Sequence, residues 1–206
     1  MSNWDDLRYI TEMDSLAIAD QLGKQGLCVW PNFLSPELVH DIRADVELIH
    51  GVQGFHRAGI GQGKNQKIHD SVRRDEVHWL DRTSPTVTQT LLWQKLDSLK
   101  QAFNRTLYLG LSEVEGHYAF FDVGGFYQRH LDCFQHDNAR VVSLVLYLNQ
   151  HWKSPDGGAL RIYGNHSHTD IDPVGGTLVC FLSRESEHEV LPNHAARLSF
   201  AGWFKQ

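Results

Sequence analysis

Apolar residues in the first half of the chain recur at the spacing of an α-helix. The strongest stripe lies in 86–107, and its members are Val87, Leu91, Leu92, Leu96, Leu99 and Phe103. The same period predicts shorter helices over 14–24 and from Ser35 onward, where a proline takes the first helical position. Between them, the apolar run 27–30 is typical of a buried strand. We expect these helices to support a core, and we assign them no chemistry.

From Gly116 onward the pattern changes to short β segments separated by Gly, Pro, Asn and Asp. The predicted strands span 115–121, 126–132, 140–149, 158–163, 169–173, 176–183, 186–191 and 196–204. Short strands of this kind predict a jelly roll, with helices packed on one face of a sheet. The predicted fold class is α+β with a mainly β core and supporting N-terminal helices. We expect a single domain over 1–206, in which 1–12 form a flexible arm.

Composition narrows the classes of function. The 206 residues have a formal net charge of −6 with histidine neutral, which argues against a nucleic-acid-binding surface. No segment reaches the roughly 18 apolar residues that a membrane span needs, and the acidic start has no signal-peptide pattern. Cys28, Cys133 and Cys180 are too few for a disulfide framework, so we expect a cytoplasmic protein. We assign Cys133 as a small side chain near a strand end and not as a metal ligand.

His130 and Asp132 form a His-x-Asp pair on a predicted strand. Residues i and i+2 of a strand point to the same face, so the imidazole and the carboxylate can bind one metal ion. Two histidines and one carboxylate make a facial site that suits non-haem Fe(II) and leaves coordination positions open. His188, on a later predicted strand, is the best candidate for the third ligand. Zinc accepts the same ligands, so a zinc hydrolase is an alternative.

Arg197 lies in the mainly apolar segment 195–200, nine residues after His188. A buried arginine is costly unless it meets an anion, and its guanidinium matches the geometry of a carboxylate. We therefore predict that Arg197 binds a dicarboxylate co-substrate, which favours iron over zinc at the predicted metal site. The alternative is an arginine at a sheet edge whose charged head reaches solvent.

In this order, the candidate residues resemble those of the 2-oxoglutarate- and Fe(II)-dependent dioxygenases. More narrowly, the chain is similar to prolyl 4-hydroxylases related to the hypoxia-inducible-factor prolyl hydroxylases, and their bacterial members most of all. The resemblance covers roughly 25–206, and it is carried by His130, Asp132, His188, Arg197, Trp203 and the segments 147–149, 157–162 and 170–173. It implies a cupin-like double-stranded β-helix. It also implies that Fe(II), 2-oxoglutarate and O2 are used to hydroxylate a C–H bond with release of succinate and CO2, and that L-ascorbate serves as a reductant.

The resemblance assigns a role to each matching residue. The metal ligands would be His130, Asp132 and His188, and the 2-oxoglutarate pocket would be formed by Arg197, Tyr147, Leu160 and Val190, with Val145 beside them. Substrate contacts are predicted for Arg73, Arg74, Asp75, Tyr127, Arg140 and Trp203. A mobile substrate finger loop is predicted over about 54–79. The plainer alternatives are a solvated strand edge for 73–75 and core aromatics for Tyr147 and Trp203.

Two further expectations follow from the resemblance. Phe121 stands near a position where related enzymes commonly have tyrosine, so a phenolic hydroxyl near the metal is lost. Arg140 is predicted to contact Asp75. We assign the remaining histidines of the second half to exposed positions or to positions outside the ligand set, and these are His117, His136, His151, His166, His168 and His194.

The leading functional hypothesis is a protein prolyl 4-hydroxylase, because the predicted finger loop favours a polypeptide substrate. In bacterial relatives the resemblance implies elongation factor Tu as a target. One alternative is an oxygenase for a small molecule, such as a free amino acid, which would not need that loop. Another is a non-catalytic barrel that binds the metal and 2-oxoglutarate as a sensor, although the four intact site residues count against it. We expect a monomer that binds neither nucleic acid nor membranes.

Overall fold

The computed structural model describes residues 12–59, 68–133 and 139–206. The predicted arm before Glu12, the segment 60–67 of the predicted finger loop, and His136 lie outside the described residues. The helices are α1 (Glu12–Gln25), α2 (Pro36–Gly51) and α3 (Val87–Leu107).

Two of these helices begin at side-chain caps. The Leu38 backbone N–H donates to the Ser35 hydroxyl at the start of α2, at 3.2 Å. At the start of α3, Thr86 and Gln89 form a reciprocal capping box, in which each side chain accepts from the other's backbone N–H. Caps of this kind satisfy backbone donors that a helix start would otherwise leave unpaired, so they set where α2 and α3 begin.

Two antiparallel sheets make up the β core of the described residues. The strands are β1 (Leu27–Trp30), β2 (His56–Arg57), β3 (Glu76–Trp79), β4 (Glu113–Phe121), β5 (Tyr127–His130), β6 (Arg140–Tyr147), β7 (Leu160–Tyr163), β8 (His168–Ile171), β9 (Leu178–Leu182), β10 (His188–Val190) and β11 (Arg197–Lys205). The larger sheet has the order β1-β9-β6-β11-β4-β3-β2, and the smaller has the order β5-β10-β7-β8. The predicted jelly-roll core is confirmed.

Alternation along the strands separates two apolar clusters. Tyr118 and Phe200 face the helices, and they pack with buried residues of α1, α2 and α3. Ala119 and Phe121, their neighbours in sequence on β4, face the smaller sheet and pack with Leu160 and other residues of β7 to β10. The helices therefore cover one face of the larger sheet, while its other face is free to form an interior site.

The predicted finger loop begins and ends in strands that the sequence analysis did not separate from it. β2 and β3 pair with each other, and β3 pairs with β4 through Val77↔Ala119 and Trp79↔His117. This pairing adds Asp75, Val77 and Trp79 to the wall of the interior cavity.

The register of the larger sheet arranges its interior side chains in rows. One row contains Val77, Ala119, Ser199 and Tyr147, and the next contains Trp79, His117, Ala201 and Val145. Arg197 and Phe121 form the row on one side of these two, and Trp203, Glu115 and Ser143 form the row on the other side. The functional groups described below are placed by these rows.

Candidate active site

The structure brings the predicted metal ligands together. One ligand atom from each of His130, Asp132 and His188 lies within 4.8 Å of the others, and among the described residues this is the one such group of three or more. The Asp132 carboxylate lies 3.5 Å from His130 Nε2 and 3.7 Å from His188 Nε2. His130 ends β5 and pairs with His188 on β10, so the register of the smaller sheet sets the spacing of the two imidazoles.

Backbone carbonyls orient both imidazoles for metal binding. His130 Nδ1 lies 2.7 Å from the Gln128 carbonyl oxygen, and His188 Nδ1 lies 3.0 Å from that of Ser186. A carbonyl oxygen only accepts, so these contacts place the proton on Nδ1 and leave the Nε2 lone pair for a metal. Burial lowers the pKa of His188, although Asp132 opposes that shift, and a neutral ring is the form that binds a metal.

Asp132 is held as a carboxylate. The Ser143 hydroxyl donates to its Oδ2 at 2.7 Å, and Ser143 Oγ lies 2.9 Å from Ser183 Oγ. Burial would raise the pKa of Asp132, but interactions with His188, His130 and Ser143 outweigh it and hold the pKa well below its ordinary value. Two imidazoles and one oriented carboxylate fit the facial donor set that Fe(II) takes.

Arg197 is a buried cation without a counter-ion. It is 1% exposed, its Nε donates to the Gly158 carbonyl at 3.0 Å, and its Nη1 donates to Ser199 Oγ at 3.2 Å. In the part of the chain that the structure describes, no carboxylate lies within ion-pair distance of it. Its burial lowers the pKa of Arg197, as expected for a charge taken out of water. Such a group calls for an anionic ligand.

Tyr147 faces the same guanidinium. The Arg197 Cζ lies 5.3 Å from the centre of the Tyr147 ring, and apart from its interaction with Arg197 the buried Tyr147 hydroxyl has no hydrogen-bond partner among the described residues. Burial raises the pKa of Tyr147 to about 12, so the hydroxyl keeps its proton and can donate it to an acceptor. A buried donor beside an unpaired cation fits a carboxylate ligand, which the predicted 2-oxoglutarate would supply.

An ion pair and a stacked tyrosine ring connect the start of β3 to the metal ligand His130. Arg73 makes a two-pronged ion pair with Asp75, at 2.7 and 2.6 Å, and the Asp75 side chain is fully buried. The Arg73 Cζ lies 4.2 Å above the Tyr127 ring, and Tyr127 stacks on His130 with the ring centres 3.6 Å apart. This chain of contacts positions the ring of His130.

The predicted contact between Arg140 and Asp75 is wrong. Both oxygens of Asp75 are engaged by Arg73, whereas Arg140 donates through Nε and Nη2 to Glu115, at 3.1 and 3.0 Å. The Arg140 guanidinium also lies 3.5 Å from the centre of the Trp203 ring. Arg140 begins β6 and Glu115 lies on β4, on either side of β11, so the sheet supplies a nearer carboxylate than the one predicted.

All these groups open into one cavity of about 540 Å³ between the two sheets. Its lining includes every predicted site residue except Arg74 and Tyr147, and also the predicted neighbour Val145. Arg74 is exposed, and its guanidinium lies over Phe126, 5.4 Å from the ring centre. Alternation along the chain explains this, since Arg73 and Asp75 share one side. Tyr147 is absent from the lining, and its contact with the site is made to the Arg197 guanidinium.

The sequence analysis missed several cavity residues, and His117 is the most informative of them. It was assigned to the surface or outside the ligand set; the surface alternative is wrong, because His117 is 6% exposed and lines the cavity with Trp79, and it lies outside the metal-ligand group. Alternation from Phe121 back along β4 would have placed it on the interior face. His151, His166, His168 and His194 are exposed. Phe121, at the position where a tyrosine was expected, lies 5.0 Å from the Arg197 Cζ.

The described helices contain no stretch with the length and apolar character of a membrane-crossing segment. Cys28 and Cys180 are buried thiols. Cys133 Sγ lies 3.8 Å from the Arg140 carbonyl oxygen and is not part of the metal-ligand group.

Comparison with known proteins places these features in context. Residues 116–205 match the sequence profile of the 2OG-Fe(II) oxygenase superfamily. The crystal structure of a Pseudomonas putida prolyl-4-hydroxylase superposes with a TM-score of 0.84 at 36% identity, covering 93% of this chain and 98% of that chain. A Trichoplax adhaerens prolyl hydroxylase, solved in complex with a peptide from the hypoxia-inducible-factor oxygen degradation domain, has a TM-score of 0.84 at 27% identity and covers 100% of this chain and 94% of that chain.

Human Egl nine homolog 1 is 30% identical over 193 residues, which are 89% of this chain and 44% of that protein. The chain thus spans about half the length of the curated relatives it matches.

Proposed function

Because this chain belongs to the 2OG-Fe(II) oxygenase superfamily, we propose that it is a 2-oxoglutarate-dependent dioxygenase that hydroxylates a prolyl residue of a protein. The observation that carries the proposal is Arg197, a buried cation with no carboxylate at ion-pair distance among the described residues, in the cavity that also contains the His130, Asp132 and His188 group. A metal site alone would suit many reactions, whereas a metal site with a built anion site suits an anionic co-substrate.

We assign His130, Asp132 and His188 to Fe(II), and Arg197 and Tyr147 to the distal carboxylate of 2-oxoglutarate. When bound, Fe(II) supplies open coordination positions at which O2 and 2-oxoglutarate react, giving succinate, CO2 and the hydroxylated product. The protein's part is to hold these groups in place. The two carbonyl contacts aim the imidazoles, Ser143 fixes the carboxylate of Asp132, and Arg197 would hold the carboxylate that lies away from the metal.

Leu160 and Val190 make the co-substrate pocket apolar between its two charged ends. Both are buried and line the cavity beside the metal-ligand group. Apolar walls exclude water, and they strengthen the ion pair that Arg197 makes with a carboxylate. We assign Arg73, Asp75, Tyr127, Arg140 and Trp203 to the polypeptide side of the cavity, where they would position the substrate.

The choice of a prolyl residue in a protein rests on the relatives and on the predicted finger loop. The Pseudomonas putida structure is a prolyl-4-hydroxylase, and the Trichoplax adhaerens prolyl hydroxylase is seen with a peptide. We propose a proline of elongation factor Tu as the first target to test. We further propose that the protein acts as a monomer in the cytoplasm, with L-ascorbate maintaining the reduced metal.

The test uses anaerobically purified protein supplied with Fe(II) and 2-oxoglutarate and then exposed to O2. Elongation factor Tu and a library of proline-centred peptides are offered as substrates, and mass spectrometry follows succinate and the gain of one oxygen on proline. Oxygen gain that requires all three reagents supports the proposal. Substrate-independent succinate without modification of any probe would move the search to small molecules. A protein that binds Fe(II) and 2-oxoglutarate but forms no succinate would be a binding module.

A further inference from the structure

Three aromatic rings form a cluster on the cavity wall away from Arg197. His117 packs against both Trp79 and Trp203, with ring centres 4.7 and 5.5 Å away, and the ring centres of the two indoles are 6.0 Å apart. All three residues line the cavity. Trp79 is 45% exposed, whereas Trp203 is 7% exposed, so the cluster runs from the protein surface into the interior. The proposed function assigns Trp203 to the polypeptide side of the cavity, but it gives no role to His117 or Trp79.

Two polar atoms of this cluster lack a partner. His117 Nδ1 and Trp203 Nε1 are buried, and neither makes a hydrogen bond to a described residue. Burial, together with the positive charges of Arg73 and Arg140, lowers the pKa of His117 to about 3, so its ring is neutral. Buried polar atoms are nearly always hydrogen-bonded in folded proteins, and exceptions at a cavity wall point to a ligand.

The sheet register separates this cluster from the proposed co-substrate. His117 lies four residues from Phe121 along β4, which is about 13 Å, and Phe121 is the neighbour of Arg197 on β11. It also lies two strands from Val145 on β6, or about 10 Å, and Asp132 is tied to that strand through Ser143. A five-carbon dicarboxylate spans only roughly 5 Å between its carboxyl carbons, so it cannot fill this side of the cavity.

The charges around the cluster are already neutralised. Arg140 and Lys205 both bond to Glu115, and Lys205 also pairs with Glu113. An ionic ligand would therefore find no unpaired charge here, in contrast to the Arg197 end. The groups that remain available to a ligand are the neutral ring nitrogen of His117, the indole N–H of Trp203 and the flat apolar faces of the rings. The peptide unit that follows a proline matches this set, because its N–H and C=O serve either tautomer of His117 and the apolar proline ring packs on indole.

We propose that His117 determines specificity for a polypeptide, by hydrogen-bonding a backbone peptide group next to the target proline while Trp79 and Trp203 pack against it. This inference rests on the proposed function and adds a residue that hydrogen-bonds to the main chain of the substrate. Trp203 Nε1 donates to a carbonyl of the same segment. A free amino acid has no such peptide group, so the subsite favours chains over single amino acids.

The test compares His117→Phe, which keeps a flat ring without hydrogen-bonding atoms, with His117→Gln, which keeps a donor and an acceptor. The probe is the proline-containing protein or peptide that the wild-type protein hydroxylates in the screen above. Substrate Kd is measured anaerobically with Fe(II) and 2-oxoglutarate present, and KM is measured in air. We expect His117→Phe to raise both by about tenfold and His117→Gln to recover most of that loss.

A matched histidine outside the cavity provides the control. His40 is exposed on α2, and we expect His40→Phe to behave as wild type. The Kd for 2-oxoglutarate reports correct folding of each variant. If the wild type is active and folded His117→Phe binds its substrate as tightly as wild type, His117 is a packing residue and the inference is overturned. If the wild type hydroxylates none of the proline probes, the proposed function fails first, and this inference falls with it.

Discussion

The two ends of the cavity treat buried charge in opposite ways. At the end that contains Arg197, which we call the closed end, Arg197 is 1% exposed and, in the described segments, has no carboxylate within ion-pair distance. At the other end Arg140 and Lys205 are both paired with Glu115, and on the cavity wall Arg73 is paired with Asp75. Under the proposed function, the first end binds an anion that arrives from outside. Under the inference drawn for His117, the second end binds a neutral partner whose position matters more than its charge.

The unpaired cation and the paired charges have different effects, since the first contributes affinity for a ligand and the second fix the positions of side chains. A buried unpaired cation destabilises the ligand-free protein, and that cost is recovered only when a carboxylate enters. Paired charges add little affinity for a ligand, but they hold rings such as Tyr127 and Trp203 in fixed positions. Variants at each end should therefore fail in different ways, and the first prediction removes the metal group that the two ends share.

Asp132→Ala should abolish turnover, because both ends of the cavity serve the same metal site. The substitution removes the carboxylate that sits 3.5 and 3.7 Å from the two histidines, so we expect Fe(II) affinity and succinate formation to fall by more than about 100-fold. Isothermal titration with Fe(II) under anaerobic conditions and succinate assays measure both. Asp170→Ala, which removes an exposed partner of Arg161, is the matched control and should leave both intact. Retained Fe(II) binding in Asp132→Ala would exclude Asp132 from the ligand set.

Arg197→Met tests the closed end alone. Losing charge-assisted hydrogen bonds to a carboxylate should raise the KM for 2-oxoglutarate by about 1000-fold. The same change removes a buried unpaired charge, so the ligand-free protein should gain a few degrees in Tm, which 2-oxoglutarate then no longer increases. Thermal unfolding with and without 2-oxoglutarate measures this, and Arg161→Met on β7 is the control. A ligand-free Arg197→Met protein that is strongly destabilised would mean that Arg197 is a structural residue.

The part of this site that local sequence pattern predicts is the part that single strands determine. His130 and Asp132 meet one metal because they are two residues apart near a strand end, and that spacing is readable from the chain alone. The helix over 86–107 was equally readable, because its apolar stripe and its Thr86 cap agree with each other. The family resemblance added Tyr147, whose buried hydroxyl no local pattern distinguishes from a core aromatic.

The part that escaped prediction depends on contacts between distant strands. Glu115 neutralises Arg140 only because β4 and β6 flank β11 in a particular register, and no local pattern reports that register. Ser143 reaches Asp132 from the opposite sheet for the same reason. The burial of His117 was missed although its strand was predicted. Counting back in twos from Phe121 gives the interior face for His117. The Glu115 and Ser143 errors therefore concern which strands become neighbours, whereas β2 and β3 are segments that were not predicted as strands.

Asp75→Asn tests the ion pair between Arg73 and Asp75. The substitution leaves Arg73 buried without its counter-ion, so we expect the free energy of unfolding to fall by about 3 kcal/mol. The Kd for 2-oxoglutarate should stay near that of the wild type, whereas the KM for the polypeptide should rise, because Arg73 holds Tyr127 in place. Urea unfolding of Asp75→Asn, Arg73→Met and the double variant measures the coupling, and the double variant should recover much of the loss. Additive losses would show that the two side chains act independently.

Tyr147→Phe gives the smallest expected effect and the sharpest contrast with Arg197. Apart from Arg197, the hydroxyl has no partner among the described residues, so its removal should leave the stability of the ligand-free protein unchanged or slightly higher. The KM for 2-oxoglutarate should rise by about tenfold, because one hydrogen bond to the carboxylate is lost while the charge of Arg197 remains. Tyr118→Phe is the matched control, since Tyr118 is equally buried but packs on the helix side of β4. Equal changes in both variants would assign Tyr147 to the core, and a change confined to Tyr147→Phe would place its hydroxyl on the co-substrate.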